Sequence, residues 1–273
     1  MFKRSEGLIG NAGGAEQFTI HTKAPVFQKG SLTKEKVLDS MRESLAMLKT
    51  NQMETFFLHS PDPDTPIEET LEAVQELYES RKFKRFGLSN FTAQDLEQIY
   101  SLCRKKGYVL PTVFQGNYSP VARHAEKDLI PLLRKLNIRF YVYSPLAGGF
   151  LAKSTEQFEA PIKGRWDPHS EVGKLYNHQY NKPHLVAALK QWGEAAEKAG
   201  CTRAALAYRW VMYHSVVSGK YGDGLIFGAS KLEQIGQTLD CFRDGPLPKD
   251  VLPLIEEIWQ NVQDEAPFDN YHG

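Results

Sequence analysis

Cysteine is scarce in this chain, and the scarcity is informative. Cys103, Cys201 and Cys241 are far apart, odd in number and without Cys-x-x-Cys spacing, which argues against a disulfide framework and against a zinc site and makes a reducing compartment the default. Net charge is absent too. Thirty-three basic residues balance thirty-three acidic ones, so nothing global draws the chain toward nucleic acid or an anionic membrane. The start, Met1-Phe2-Lys3-Arg4-Ser5-Glu6, carries positive charge but no apolar run behind it. No stretch approaches the ~20 apolar residues that span a bilayer, and the chain reads as cytosolic and free of membrane. His178, His184 and His214 lack metal-ligand spacing, and there is neither a Gly-x-Ser-x-Gly elbow nor a phosphate loop. The densest basic cluster, Arg104-Lys105-Lys106, reads as the solvated last turn of a helix rather than a nucleic-acid patch.

What is present suits a soluble globular domain with a large core: 273 residues, 41% apolar, 24% charged and 11% aromatic. No linker or low-complexity tract interrupts it, so residues 1–273 read as a single domain. Short runs rich in β-branched and aromatic residues, bounded by turn chemistry, predict strands at Phe18–Lys23, Thr55–His59, Arg85–Ser89, Thr112–Gln115, Ile138–Tyr143 and Leu225–Phe227. Helical patterns lie between and after them. Val37, Met41, Leu45 and Leu48 mark one face of a helix over Thr33–Leu48, and a second helix starts after Thr65-Pro66. Others fit Ala93–Lys106, Arg123–Leu136, His184–Ala199, Arg203–His214, Leu232–Leu239 and Asp250–Val262. The alternation implies a parallel sheet with right-handed crossovers, and periodicity alone leaves a barrel and an open doubly wound sheet equally served. The stretch from about Gly149 to Pro183 reads as a long functional loop.

Each strand ends on a polar motif, where a βα barrel places its active site. The runs Ile20-His21-Thr22-Lys23, Phe57-Leu58-His59-Ser60-Pro61-Asp62, Gly87-Leu88-Ser89-Asn90-Phe91, Val113-Phe114-Gln115-Gly116-Asn117-Tyr118, Tyr143-Ser144-Pro145-Leu146-Ala147-Gly148-Gly149 and Phe227-Gly228-Ala229-Ser230 resemble the successive strand ends of an aldo-keto reductase. Leu110-Pro111-Thr112-Val113, Ala147-Gly148-Gly149 and the tail near Asn270-Tyr271 make the chain most similar to the aflatoxin-aldehyde reductase branch. The resemblance implies a (β/α)8 TIM-type barrel, of which about the first two βα units are absent here.

It also implies hydride transfer from NADPH to a small aldehyde or ketone, with a tyrosine phenol delivering the proton. Lys23 and His59 match the family's catalytic lysine and histidine. The lysine ammonium lowers the phenol pKa, and the histidine orients the carbonyl. Ser5-Glu6 looks like the pair that follows the family's tyrosine, which places that tyrosine just before Met1 and the aspartate earlier still. On the cofactor side, Ser89, Asn90 and Gln115 match residues that bind the nicotinamide amide, and Tyr143 matches the one stacked beneath the ring. Ser144, Leu146 and Gly148 follow it. Gly228 and Ser230 lead into a helix carrying Gln234, Gln237 and Thr238, suited to a phosphate, with Thr238 in place of an expected asparagine. Lys153 and Arg165 are candidates for the pyrophosphate and the 2′-phosphate. Where the nearest branch carries an arginine for acidic substrates, this chain reads Tyr176-Asn177-His178-Gln179-Tyr180. Tyr118, Tyr143, Tyr176, Tyr180 and Tyr221 each have another place in the pattern and are not substitutes for the missing phenol. Without it the expected activity is strongly reduced, the alternative being a non-catalytic NADP-binding or interaction protein. Strand edges left open by the two absent units invite pairing with another copy of the chain, a homo-oligomer.

Overall fold

The computed structural model describes residues 2–24, 29–159 and 164–272, with side chains from Ser5 onward other than that of Glu159. It divides into two compact units, Met1–Gln115 with Lys135–Ile138, and Gly116–Arg134 with Arg139–Gly273. The first unit alternates helix and strand: α1 (Phe2–Asn11), α2 (Gly14–Gln17), β1 (His21–Lys23), α3 (Lys34–Leu48), β2 (Met53–Leu58), α4 (Ile67–Glu79), β3 (Phe83–Ser89), α5 (Ala93–Lys106) and β4 (Pro111–Asn117, whose last two residues belong to the second unit). Its strands lie side by side in chain order, every pair parallel. The alternation read from the sequence is therefore realised as a parallel α/β arrangement.

Register decides which side chains reach the strand ends. Lys23 stands beside Phe57, and Leu58 beside Leu88. Between β3 and β4 the pairing slips by one residue after Phe86, from Phe86↔Pro111 to Gly87↔Val113. A one-residue slip exchanges the two faces of a strand, so Ser89 meets Gln115 instead of Phe114. Gly87 sits at the slip because a Cβ there falls 2.4 Å from the Phe57 ring.

Where boundaries moved, the cause is local. The expected strand from Phe18 shortens to His21–Lys23, since the Phe18 N–H closes α2 onto the Gly14 carbonyl at 2.9 Å. In α3, Val37, Met41 and Leu48 are buried as the pattern requires, but Ser44 rather than Leu45 completes the inner face, donating to Glu6 Oε2 at 3.1 Å. Thr33 makes no side-chain cap, and the Lys34 N–H is satisfied instead by Glu69 Oε1 at 2.9 Å. Thr92 and Asp95 form a reciprocal capping box at the start of α5, and Gly107 ends it at φ 69°.

The second unit contains α6 (Leu129–Lys135, its last residue counted with the first unit), β5 (Arg139–Tyr143), α7 (Thr155–Glu159), α8 (Glu171–Tyr180), α9 (Pro183–Lys198), α10 (Arg203–Tyr213), β6 (Gly224–Leu225), α11 (Leu232–Arg243) and α12 (Leu252–Val262). β5 and β6 pair in parallel. The helix expected over Arg123–Leu136 is a 3-10 turn, His124–Glu126, followed by the shorter α6. Pro131 confines the α-helix to a start near Leu129, because proline is tolerated only in a first turn.

The stretch Gly149–Pro183 is not the irregular loop expected. It holds α7 and α8, with residues 160–163 outside the described residues. Ser170 caps α8 through the Gly173 N–H at 3.0 Å. Rings of Phe150, Phe158, Trp166, Tyr176 and Tyr180 interlock at centroid separations of 5.3–6.5 Å. Packed aromatics, invisible to a search for helical periodicity, order this segment.

Asp223 fixes the start of β5 and β6. Its side chain is wholly buried. It takes both guanidinium nitrogens of Arg134 at 2.9 and 2.6 Å, the Phe140 N–H at 2.8 Å and the Ser218 N–H at 2.9 Å. Replacing Asp223 with alanine leaves Arg134 and two backbone donors without their acceptor. Urea unfolding is expected to show a loss of roughly 3–5 kcal/mol, and a loss below 1 kcal/mol would contradict this role.

Candidate active site

The first unit brings five of the expected residues to the C-terminal ends of adjacent strands: Lys23 on β1, His59 just after β2, Ser89 and Asn90 at the end of β3, and Gln115 on β4. Hydrogen bonds hold the loops that frame them. Asp62 receives the Gly30 and Leu32 N–H groups at 3.2 and 2.9 Å, and the Thr65 hydroxyl at 2.8 Å. Thr70 adds a bond from its hydroxyl to the Leu32 carbonyl at 2.8 Å. These donors hold the Asp62 carboxyl below its ordinary pKa against the opposing effect of burial. Asp62 was visible in the sequence as part of a motif; its work of tying the loop after β1 to the loop after β2 was not.

Lys23 and His59 share one electrostatic setting. The Lys23 ammonium lies over the Phe57 ring, 5.3 Å from its centroid, and among the described residues no carboxylate forms an ion pair with it. Burial therefore pulls the Lys23 pKa down. Burial first, and then the nearby Lys23 charge, push His59 from 6.5 down to about 4. A neutral imidazole at physiological pH offers one N–H donor, suited to a carbonyl oxygen. Asn90, at φ 59°, donates its side-chain amide to the His59 carbonyl at 2.9 Å, which couples the ends of β2 and β3.

Ser89 and Gln115, neighbours by register, are 1% and 8% exposed, and neither side chain has a hydrogen-bond partner among the described residues. Their polar atoms are not among the fully buried unpartnered ones, so a hydroxyl and a primary amide keep donors and acceptors that an amide ligand can take over from water.

The second unit carries the other candidates. Tyr143, half-buried as a residue, ends β5, and its hydroxyl accepts the Asn270 N–H at 3.2 Å. Burial, and then Asp269, raise its pKa well above the ordinary range. Ser144 at φ 56° and Leu146 begin the tight turn that follows, and Gly148 at φ 67° lies so close to the Tyr176 ring that a Cβ would fall 2.2 Å from it. The Gly148 carbonyl accepts the Trp166 indole N–H at 3.0 Å, and Arg165 lies 5.8 Å from the centroid of Tyr176. Lys153 ends the turn and is partly exposed.

At the start of α11, Gly228 and Ser230 are exposed. Gln234 turns back to accept the Ser230 and Lys231 N–H groups at 2.9 and 3.3 Å. That side chain already occupies donors expected to face a phosphate. Gln237 bonds Glu233 at 3.3 Å, and Thr238 donates to the Gln234 carbonyl at 2.8 Å. Tyr118, by contrast, donates to Glu126 at 2.6 Å and is pushed far above a useful acid range.

The chain matches the model of the aldo/keto reductase family over residues 1–260. It belongs to that family. The aldo/keto reductase is 38% identical over 263 residues to the protein called Oxidoreductase sirO from Leptosphaeria maculans, covering 96% of this chain and 80% of that one. It is 37% identical to human Aflatoxin B1 aldehyde reductase member 2, covering 95% and 74% of the two chains, and 35% identical to human Aflatoxin B1 aldehyde reductase member 4, covering 97% and 83%. The branch read from Leu110–Val113 and the Gly148-Gly149 turn is thereby supported. No helix among the described residues of this reductase is long and apolar enough to cross a membrane.

The depressed His59 pKa has a signed consequence. The unfolded chain binds a proton near 6.5 and the fold resists it until about 4. The contribution to stability is complete above pH 6.5 and is lost as pH falls toward 4, by at most roughly 3 kcal/mol. His59→Gln is expected to flatten the pH dependence of urea unfolding in that window. An unchanged slope would show that His59 is protonated normally in the fold.

Proposed function

We propose that this chain binds NADPH at the strand ends and derives from a reductase of aldehydes and ketones. The observation that carries the reading is the buried Ser89–Gln115 register pair, whose polar side chains have no partner among the described residues, a match for the nicotinamide carboxamide. Tyr143, half-buried on β5 of the second unit, is the ring that the family resemblance assigns to stacking. Lys153 and Arg165 supply positive charge for phosphates, which favours NADP over NAD. Bound there, NADPH supplies the hydride for the carbonyl carbon. His59, held neutral, donates a hydrogen bond to the carbonyl oxygen, and Lys23 favours negative charge developing beside it.

The strand-end motifs of this chain supply a lysine and a histidine, and none of them matches the family's proton-donating tyrosine or its aspartate. Residues 1–273 are assigned to a single aldo-keto reductase domain, an assignment supported by a family match over residues 1–260. The compartment is the cytoplasm. A further consequence is self-association. Among the described residues β1 and β6 each pair with one strand, and Leu232, Ile235 and Leu239 stand exposed along one face of α11.

General acid catalysis contributes ~10²–10⁴-fold, and turnover of a simple aldehyde is expected to fall below that of a complete relative by about this factor while NADPH still binds. Fluorescence titration with NADPH and carbonyl-dependent NADPH oxidation read the two quantities. Binding with no turnover at all would favour a non-catalytic cofactor-binding protein. Turnover equal to a complete relative would refute the impairment, and failure to bind NADPH would refute both readings.

A further inference from the structure

The C-terminal segment after α12 is stapled to its own unit far more heavily than a loose tail requires. Glu265 accepts the His184 N–H at 2.9 Å and meets its imidazole Nδ1 at 2.7 Å, while its carbonyl takes the Lys182 ammonium at 2.9 Å. His124 Nε2 lies 3.2 Å from the Ala266 carbonyl, and its ring stacks with Phe268 at a centroid distance of 6.4 Å. The Asp269 carbonyl receives the buried Gln179 amide at 2.8 Å. The Asp269 carboxylate, 4% exposed as a residue, gathers the Tyr271 N–H at 2.8 Å, the His272 N–H at 2.6 Å and the His272 imidazole at 2.9 Å. This fold-back aims the Asn270 N–H at the Tyr143 hydroxyl, 3.2 Å away.

We propose that the segment Asp269–His272 is a positioning strap that sets the Tyr143 ring, with Asp269 and Gln179 as the positioning residues, so that cofactor affinity is determined partly from the far end of the chain. The inference rests on the reading of Tyr143 as the ring that stacks with the nicotinamide. Neither Asp269 nor Gln179 is assigned any contact with cofactor; both act through the backbone that donates to the phenol. A ring on a strand end turns about its own side-chain bonds, and a donor at its hydroxyl removes one of those freedoms. Binding then costs less ordering entropy. Gln179 spends its amide nitrogen on the Asp269 carbonyl, and among the described residues its oxygen and the Asn270 side-chain oxygen have no partner.

The test uses the full chain with Asp269→Ala, Gln179→Leu, Asp269→Asn and Tyr143→Phe. Asp269→Ala and Gln179→Leu are each expected to weaken NADPH binding by about tenfold, and Asp269→Asn, which keeps an acceptor for the two N–H groups, is expected to restore it to within about twofold. In the Tyr143→Phe background, Asp269→Ala is expected to have no further effect, because the hydroxyl it acts through is gone. An equal loss in both backgrounds would show a merely structural role and overturn the proposal, as would no loss in either. A second readout needs no cofactor. With 13C-labelled tyrosine, the Tyr143 ring signal is expected to shift and broaden in Asp269→Ala and to return in Asp269→Asn. If NADPH fails to bind the unaltered chain while this ring signal responds, the cofactor reading fails and the strap stands; if NADPH binds and the ring signal ignores Asp269, the strap fails alone.

Discussion

Parallel pairing of β1, β2, β3 and β4 forces every strand to end on the same side, and the register within that pairing determines which side chains stand there. Lys23, His59, Ser89 and Gln115 are separated by tens of residues along the chain, yet each is one strand from the next. The slip after Phe86 is the sharpest instance. Without it, an apolar ring would stand beside Ser89 where an amide now does. Gly87 permits the Phe57 ring to lie against β3, and that same ring lies under the Lys23 ammonium. Backbone register, one missing side chain and one aromatic ring thus act together on the charge at the site.

The electrostatics follow from that arrangement. Among the described residues no carboxylate pairs with the Lys23 ammonium, and burial lowers its pKa; burial first, and then the Lys23 charge, lowers that of His59. Titrations displaced by burial together with a specific neighbouring charge make residues candidates for a functional site. The neighbouring strand ends carry Ser89 and Gln115, whose side chains have no hydrogen-bond partner among the described residues. The coincidence of charge tuned by burial and hydrogen-bonding capacity left unspent separates this end of the unit from an ordinary strand terminus, where exposed polar groups are hydrated.

Much of this was legible beforehand because strand ends and helix caps are local events. The helix over Ala93–Lys106 was bounded correctly since Thr92, Asp95 and Gly107 are adjacent to what they cap. Motifs such as Phe57–Asp62 name candidate residues for the same reason. Long-range partners were illegible. Nothing in the neighbourhood of Asp62 says that it will collect N–H groups from residues 30 and 32, and nothing near Gln234 says that it will cap its own helix and occupy donors expected for a phosphate. The order within Gly149–Pro183 came from interlocked rings, and the link from Asn270 to Tyr143 joins residues 127 apart in the chain. Pattern reading sees what neighbours in sequence can do, and these contacts belong to neighbours in space.

The claim on which the account depends is that Ser89 and Gln115 form the seat of a nicotinamide amide. Side-chain amide 15N NMR of the chain, titrated in parallel with NADP and with the same dinucleotide lacking its nicotinamide ring, tests it directly. The Gln115 amide signal is expected to shift with NADP and to stay in place with the ring-less analogue, while backbone signals respond to both. Identical responses of Gln115 to the two ligands, or none to either, would contradict the account.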